Sequence, residues 1–90
     1  MHYLVRYHPL VRKDLSTKNT TIKTRIKNAI ERRLMVDPIK YGDPLRKTLK
    51  GYRKVRVGDY RIVYKIEGEY IYILGIRHRK EIYKKVELRI

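Results

Sequence analysis

The run Lys54-Val55-Arg56-Val57-Gly58-Asp59-Tyr60-Arg61-Ile62-Val63-Tyr64 carries the densest set of chemically capable side chains in the sequence, and nearly all of them are cations or phenols. A second set follows at Arg77-His78-Arg79-Lys80, with Tyr83 close behind. Cysteine is absent, so thiolate nucleophiles, disulfides and thiolate metal sites are excluded together. There is no HExxH, no glycine-rich phosphate loop and no pair of carboxylates beside the cations. His2, His8 and His78 are too scattered to suggest a zinc site, and no metal or cofactor is expected. What such residues can do is phosphodiester chemistry without a metal. Cleaving RNA through its own 2′-hydroxyl needs a base for that hydroxyl, positive charge for the phosphorane and an acid for the 5′-oxygen. A lysine crowded by other cations loses proton affinity and can act as a base near neutral pH. Arginine clamps phosphate oxygens bidentately, and tyrosine stacks on a splayed base or assists the nucleophile. The need for a 2′-hydroxyl would itself select RNA over DNA.

The elements that must position these residues can be read from spacing. Residues 2–7 are aromatic and β-branched with a strand's alternation. Pro9 suits the first turn of a short helix bearing Val11 and Leu15, and Asn19 reads as its stop. Thr20 or Thr21 can cap a second helix, in which Ile22, Ile26, Ile30 and Leu34 recur every fourth residue. Lys23, Arg25, Lys27 and Arg32 line its other face. Asp37-Pro38 ends it, because the residue before proline is driven out of the helical region. Residues 38–51 read as an irregular connection, three strands follow near 52–57, 60–66 and 70–77, and Lys80–Ile90 shows no clear period. The expected architecture is a single α+β domain, residues 1–90, in β-α-α-β-β-β order, with two helices on one face of an antiparallel-rich sheet.

Gly58-Asp59 reads as a two-residue hairpin turn, and that choice fixes the register. Arg56 then faces Arg61 and Lys54 faces Val63. Directly opposed residues share a face, so Lys54, Arg56 and Arg61 project together. Val55, Val57, Tyr60, Ile62, Tyr64 and Ile66 take the helix-covered side. A two-residue turn at Gly68-Glu69 puts Tyr72, Leu74 and Ile76 on the cationic face, and a three-residue turn puts Ile71 and Ile73 there instead. Opposed like charges destabilise a sheet, so the patch implies an anion that relieves it. The plainer reading is a solvated face, with long stems lying on the sheet and their heads in water.

Charge over the whole chain points the same way. The 90 residues hold 24 Lys and Arg against 9 Asp and Glu, a net +15. That excess attracts polyanions through counterion release: nucleic acid, an anionic membrane surface or an acidic protein. Heat adaptation would raise both signs, and here one dominates. No apolar run approaches the roughly 18–20 residues of a membrane span, and the start lacks a signal peptide's pattern, so a cytoplasmic protein without membrane contact is expected.

Leu49-Lys50-Gly51, the run from Lys54 to Tyr64, and Ile76-Arg77-His78-Arg79-Lys80-Glu81-Ile82-Tyr83 closely resemble the RelE branch of the RelE/ParE toxin superfamily. The helical stretch and Asp37-Pro38 fit as well, so the resemblance spans nearly the whole chain. It implies the RelE-like fold and a ribosome-dependent endoribonuclease that cuts mRNA in the A site and is neutralised by a cognate acidic antitoxin. Carried over by matching position, Lys54 and Arg56 form a basic pair with Lys54 near the 2′-hydroxyl. Arg61 stabilises the scissile phosphate, Arg79 acts at the phosphate or leaving group, and Tyr83 orients the base or nucleophile. Arg77, His78 and Lys80 would contact substrate, with His78 an alternative base. Arg56 stands where some relatives carry lysine, and a guanidinium is a poor general base. Two other readings keep the charge: a ParE-like toxin acting on DNA gyrase without nuclease activity, and a non-catalytic RNA-binding module.

Overall fold

The structure, a computed structural model, describes residues 2–90. Strand β1 (Leu4–Tyr7) leads into helix α1 (Val11–Ser16) and then α2 (Thr20–Ala29), which runs on into a π-helical turn, Ile30–Leu34. A single helical turn, α3 (Pro38–Tyr41), precedes the short strand β2 (Asp43–Pro44) and a 3-10 turn, Lys47–Leu49. The meander β3 (Arg53–Val57), β4 (Tyr60–Glu67) and β5 (Tyr70–His78) follows, and α4 (Ile82–Glu87) closes the chain. The sheet order is β1-β5-β4-β3-β2, with β1 parallel to β5 and the other pairs antiparallel.

Two apolar clusters explain why these elements assemble. On one face Ile26, Ile30 and Leu34, spaced every fourth residue and joined by Val11, pack on Val55, Val57, Ile62, Tyr64, Ile71, Ile73 and Ile76. On the other face Ile82 and Val86 of α4 cover Leu49, Val63 and Leu74. The expected pair of helices, α1 and α2, therefore lies on one face, and the short helix α4 covers part of the opposite face. That helix showed no period because six residues give it only two buried positions.

The β3–β4 register is the one the turn demands: Val57 opposite Tyr60, Arg56 opposite Arg61, Val55 opposite Ile62 and Lys54 opposite Val63. Gly58 supplies the positive φ of 60°. The next hairpin also uses a two-residue turn, with Glu67 opposite Tyr70. Its outcome differs from expectation at one residue. Val63 faces Gly75 while Tyr64 faces Ile73, so Leu74 is an extra residue in β5. This bulge leaves Tyr72 and Leu74 on the cationic side and returns Ile76 to the α2 side, opposite Ile62.

Other departures lie in the connections. Asn19 starts α2 instead of stopping α1: its side chain accepts a hydrogen bond from the Ile22 N–H at 2.9 Å. Asp37 likewise caps α3, accepting from the Lys40 N–H at 3.1 Å. The segment after it is drawn tightly onto the sheet, where the buried Tyr64 hydroxyl donates to the Pro38 carbonyl at 2.6 Å. A Cβ on Gly42 would lie 1.8 Å from that hydroxyl, so only glycine permits the approach.

Strand β1 pairs with Tyr70–Ile73 of β5 and no further. Beyond Ile73, side chains take over the work of a strand. Asp14 accepts from the Ile76 N–H at 3.0 Å, Arg89 donates to the Leu74 carbonyl at 3.1 Å, and Lys18 donates to the Ile76 carbonyl at 2.9 Å. The Asp14 side chain is fully buried and ion-paired with Arg89 at 2.7 Å and Arg77 at 3.2 Å. No helix among the described residues is long and apolar enough to cross a membrane.

Candidate functional site

The face opposite α2 carries a row of three arginines across adjacent strands: Arg56 opposite Arg61, and Arg61 opposite Arg77. Lys54 lies one step along β3 on the same side. Two of the guanidiniums are drawn to the turn. Arg56 Nε and Arg61 Nη1 both donate to the Gly58 carbonyl, at 3.3 and 3.2 Å, and Arg61 also reaches the Tyr60 carbonyl at 3.1 Å. None of Lys54, Arg56 and Arg61 has a carboxylate partner within ion-pair distance among the described residues. A pocket of about 360 Å³ opens beside them, lined also by Arg33, Tyr41 and Asp43.

Helix α4 delivers Tyr83 to this face, where the Lys54 ammonium sits 5.9 Å from the ring centre. The close docking of α4 depends on Gly75, since a Cβ there would stand 2.4 Å from Val86 Cγ1. Arg79 is exposed at the start of the β5–α4 connection, which is tied to the hairpin turn by a hydrogen bond from the Arg79 N–H to the Asp59 carbonyl at 2.9 Å. Lys80 beside it is exposed as well. Farther along the face Lys65 lies against Tyr52 and Tyr72, at 5.3 and 5.8 Å from their ring centres. Burial raises the Tyr72 pKa, aided by Tyr52, despite the nearby lysine.

Two of the expected substrate contacts are placed otherwise. Arg77 points to the cationic face, but its guanidinium is already committed, to Glu81 at 2.8 Å and to Asp14 at 3.2 Å. Partial burial opposes its charge, yet the hydrogen bonds to Glu81 and Asp14 prevail and raise its proton affinity. It is a clamp between β5, α1 and the α4 connection. His78 follows Arg77 by one residue and so takes the opposite side, across from Tyr60, whose ring it meets edge-on at 5.8 Å. The strand alternation thus keeps His78 away from Lys54 and Arg61.

Sequence reading missed three residues of the site. Asp43 stands directly opposite Lys54 because β2 pairs there, and Tyr41 and Arg33 enter the same pocket. The two-residue β2 lies in a stretch rich in proline and glycine, which gave no strand signal. Asp14 was missed too, and its amphipathic position beside Val11 and Leu15 was the one available sign. Burial alone would raise its pKa, but hydrogen bonds from Arg89, the Ile76 N–H and Arg77 outweigh that and hold the carboxyl below the ordinary range.

Comparison with known proteins fits this architecture. A family model for the ParE toxin of the type II toxin–antitoxin system parDE matches residues 5–83. The chain is 33% identical over 87 residues to toxin RelG of Mycobacterium tuberculosis (strain ATCC 25618 / H37Rv), an alignment covering 94% of this chain and 100% of RelG. Among solved structures, the toxin–antitoxin complex RelBE2 of M. tuberculosis aligns with a TM-score of 0.81 and 32% identity, over 88% of this chain and 93% of that one. A mutant of E. coli toxin RelE in the free state aligns with a TM-score of 0.78 over 100% of this chain and 99% of that one; at 17% identity this is a likeness of fold alone. With the family model matching residues 5–83 and RelG aligned over its whole length, the chain belongs to the RelE/ParE superfamily of type II toxin–antitoxin toxins.

Proposed function

We propose that this toxin is an endoribonuclease that cuts mRNA in the ribosomal A site through the RNA's own 2′-hydroxyl. The observation that carries the reading is the face just described: Lys54, Arg56 and Arg61 side by side without carboxylate partners, with Tyr83 brought to Lys54 by α4. Lys54 takes the proton of the 2′-hydroxyl, and the freed oxygen attacks phosphorus. Arg56 and Arg61, drawn together at the Gly58 carbonyl, stabilise the charge on the phosphorane. Arg79 stabilises the departing 5′-oxygen, which takes a proton from a water as the P–O bond breaks, and Lys54 gives its proton back to solvent. Tyr83 stacks on the splayed base, and Lys80 holds a flanking phosphate. Arg77 and His78 have no direct part: the first positions the Arg79–Glu81 connection, and the second packs on Tyr60.

The partner is an acidic antitoxin. RelBE2 and the RelB–RelE pair of Methanococcus jannaschii were both solved as toxin–antitoxin complexes. On this chain, with its net +15, only Lys65, Arg77 and Arg89 join ion pairs among the described residues. An acidic segment that folds on binding would relieve that repulsion over about 2,000 Å² or more of buried surface.

A second reading is favoured by the family model itself, which is that of ParE toxins. A ParE-like toxin directed at DNA gyrase would need the fold but not the cationic face. One experiment separates the two. On translating ribosomes the parent should produce new mRNA ends in the A site, and Arg61→Ala should slow cutting on the order of 10²–10³-fold, as for loss of one oxyanion donor. Intact mRNA together with inhibited gyrase supercoiling selects the second reading.

A further inference from the structure

We propose that the cleft between α2 and the β3–β4 hairpin is a second phosphodiester-binding site, continuous with the cationic face around β3, so that RNA backbone is gripped at two places. The proposal rests on the RNA reading of that face and extends it to the other side of the sheet. The cleft is about 540 Å³ and is lined by Arg25, Arg32, Arg33 and Arg56 together with Asn28. No carboxylate lines it, and none of the four arginines joins an ion pair among the described residues. Guanidiniums gathered without counter-charge repel one another, and an anion in the cleft removes that repulsion.

Two local features build the cleft. The first is Gly58, whose backbone lies under the Arg25 guanidinium: a Cβ there would meet Arg25 Nη1 at 3.1 Å. The same glycine's carbonyl receives Arg56 and Arg61, so three guanidiniums converge on one turn from both sides of the sheet. The second is the π-helical turn. The Met35 N–H bonds to the Ile30 carbonyl at 2.8 Å, five residues back, which widens the helix. Arg33 lies within this turn and lines the cleft beside Arg25 and Arg32. Such turns are rare and concentrate where function needs a side chain re-aimed.

Continuity comes from shared walls. Arg33 and Arg56 line both the cleft and the 360 Å³ pocket that holds Lys54 and Arg61. A strand lying on the cationic face meets the cleft without crossing any carboxylate other than Asp43. A polynucleotide fits better than an acidic peptide. The apolar lining is only Ala29 and Val57, too little to seat the side-chain anchors from which a bound peptide draws its affinity. Paired guanidinium forks, in contrast, match phosphate oxygens.

The test measures binding of 2′-O-methyl RNA, which cannot cleave itself, in two lengths of about 4 and about 16 nucleotides. The parent is compared with Arg25→Ala/Arg32→Ala and with Arg61→Ala, each checked by its melting curve, and a poly-aspartate peptide serves as the competing class. Arg25 and Arg32 are both exposed, so the cleft variant should fold as the parent does. The cleft variant should bind the short RNA as the parent does and the long RNA on the order of tenfold more weakly. Its salt slope on the long RNA should be shallower by roughly 1.4, the value for two lost phosphate contacts. Arg61→Ala should weaken both lengths. A cleft variant that keeps the parent's affinity and slope for long RNA overturns the second site and leaves the cationic face standing. Loss of poly-aspartate binding with RNA binding intact overturns it as well, making the cleft a protein seat. A parent that binds neither RNA overturns the cleft, while the A-site reading stands or falls separately on cleavage by translating ribosomes.

Discussion

Replacing Asp14 should damage this protein more than any change on its charged surface. The carboxylate is fully buried and receives the Ile76 N–H, Arg77 and both terminal nitrogens of Arg89, the last at 2.7 and 2.8 Å. Asp14→Asn keeps the shape and one acceptor but removes the charge that balances Arg89, whose side chain is only 6% exposed. Arg77 is less affected because Glu81 still holds it. Leaving one buried ion without its partner costs about 3–5 kcal/mol. That is a large part of the about 5–13 kcal/mol expected for a chain of this length, and it lowers the melting temperature by about 15–30 °C. The informative comparison is Asp14→Leu/Arg89→Met. Replacing a whole buried ion pair with apolar side chains is often harmless, since both desolvation costs vanish together. Here it should not be, because Asp14 also serves the Ile76 N–H and Arg89 the Leu74 carbonyl. Two orphaned backbone groups at the open half of β5 should cost about 2–6 kcal/mol together. Thermal and urea unfolding of the parent, both single variants and the pair completes the cycle. If the apolar pair melts with the parent, or Asp14→Asn melts within about 5 °C of it, the strand-replacing role of these side chains is refuted.

Acid should act through the same residue. A carboxyl held below its ordinary pKa contributes stability that is fully present above about pH 4 and lost as pH falls through its folded value; unfolding free energy should therefore hold down to that point and then drop, and drop less in Asp14→Asn. Gly75→Ala should push α4 off the sheet through the 2.4 Å clash with Val86, costing about 1–3 kcal/mol and slowing cleavage by displacing Tyr83; calorimetry and ribosome cleavage would show both. Tyr64→Phe should cost about 1–3 kcal/mol by stranding the buried Pro38 carbonyl, read from the shift in urea midpoint. Arg79→Ala and Arg77→Ala should diverge: the first slows cutting with an unchanged melting temperature, and the second lowers the melting temperature by several degrees as α1, β5 and the α4 connection lose their clamp.

What could be read in advance was whatever a local rule dictates. Gly58-Asp59 leaves one comfortable two-residue turn, and that turn alone assigns every side chain of β3 and β4 to a face, Lys54, Arg56 and Arg61 included. The apolar residues at every fourth position from Ile22 to Leu34 name their own buried side, though not the π-helical turn that carries the last two of them. Alternation carried through the second hairpin only as far as the bulge at Leu74, because an inserted residue changes parity without any mark in composition. Beyond that, contacts that join distant segments were invisible. Asp43 reaches Lys54 through a two-residue strand made of turn-forming residues, and Asp14 meets Arg89 across nearly the whole chain. These hidden contacts set where Tyr83 stands. It rides on a helix whose core is Ile82 and Val86 and whose far end is pinned by Arg89 to Asp14. The cations, in contrast, sit on a hairpin with its own register. The proposed chemistry therefore joins a locally specified half, Lys54 with Arg56 and Arg61, to a half held by tertiary contacts. Weakening the docking of α4 should remove Tyr83 from the site while the cationic face keeps its affinity for RNA.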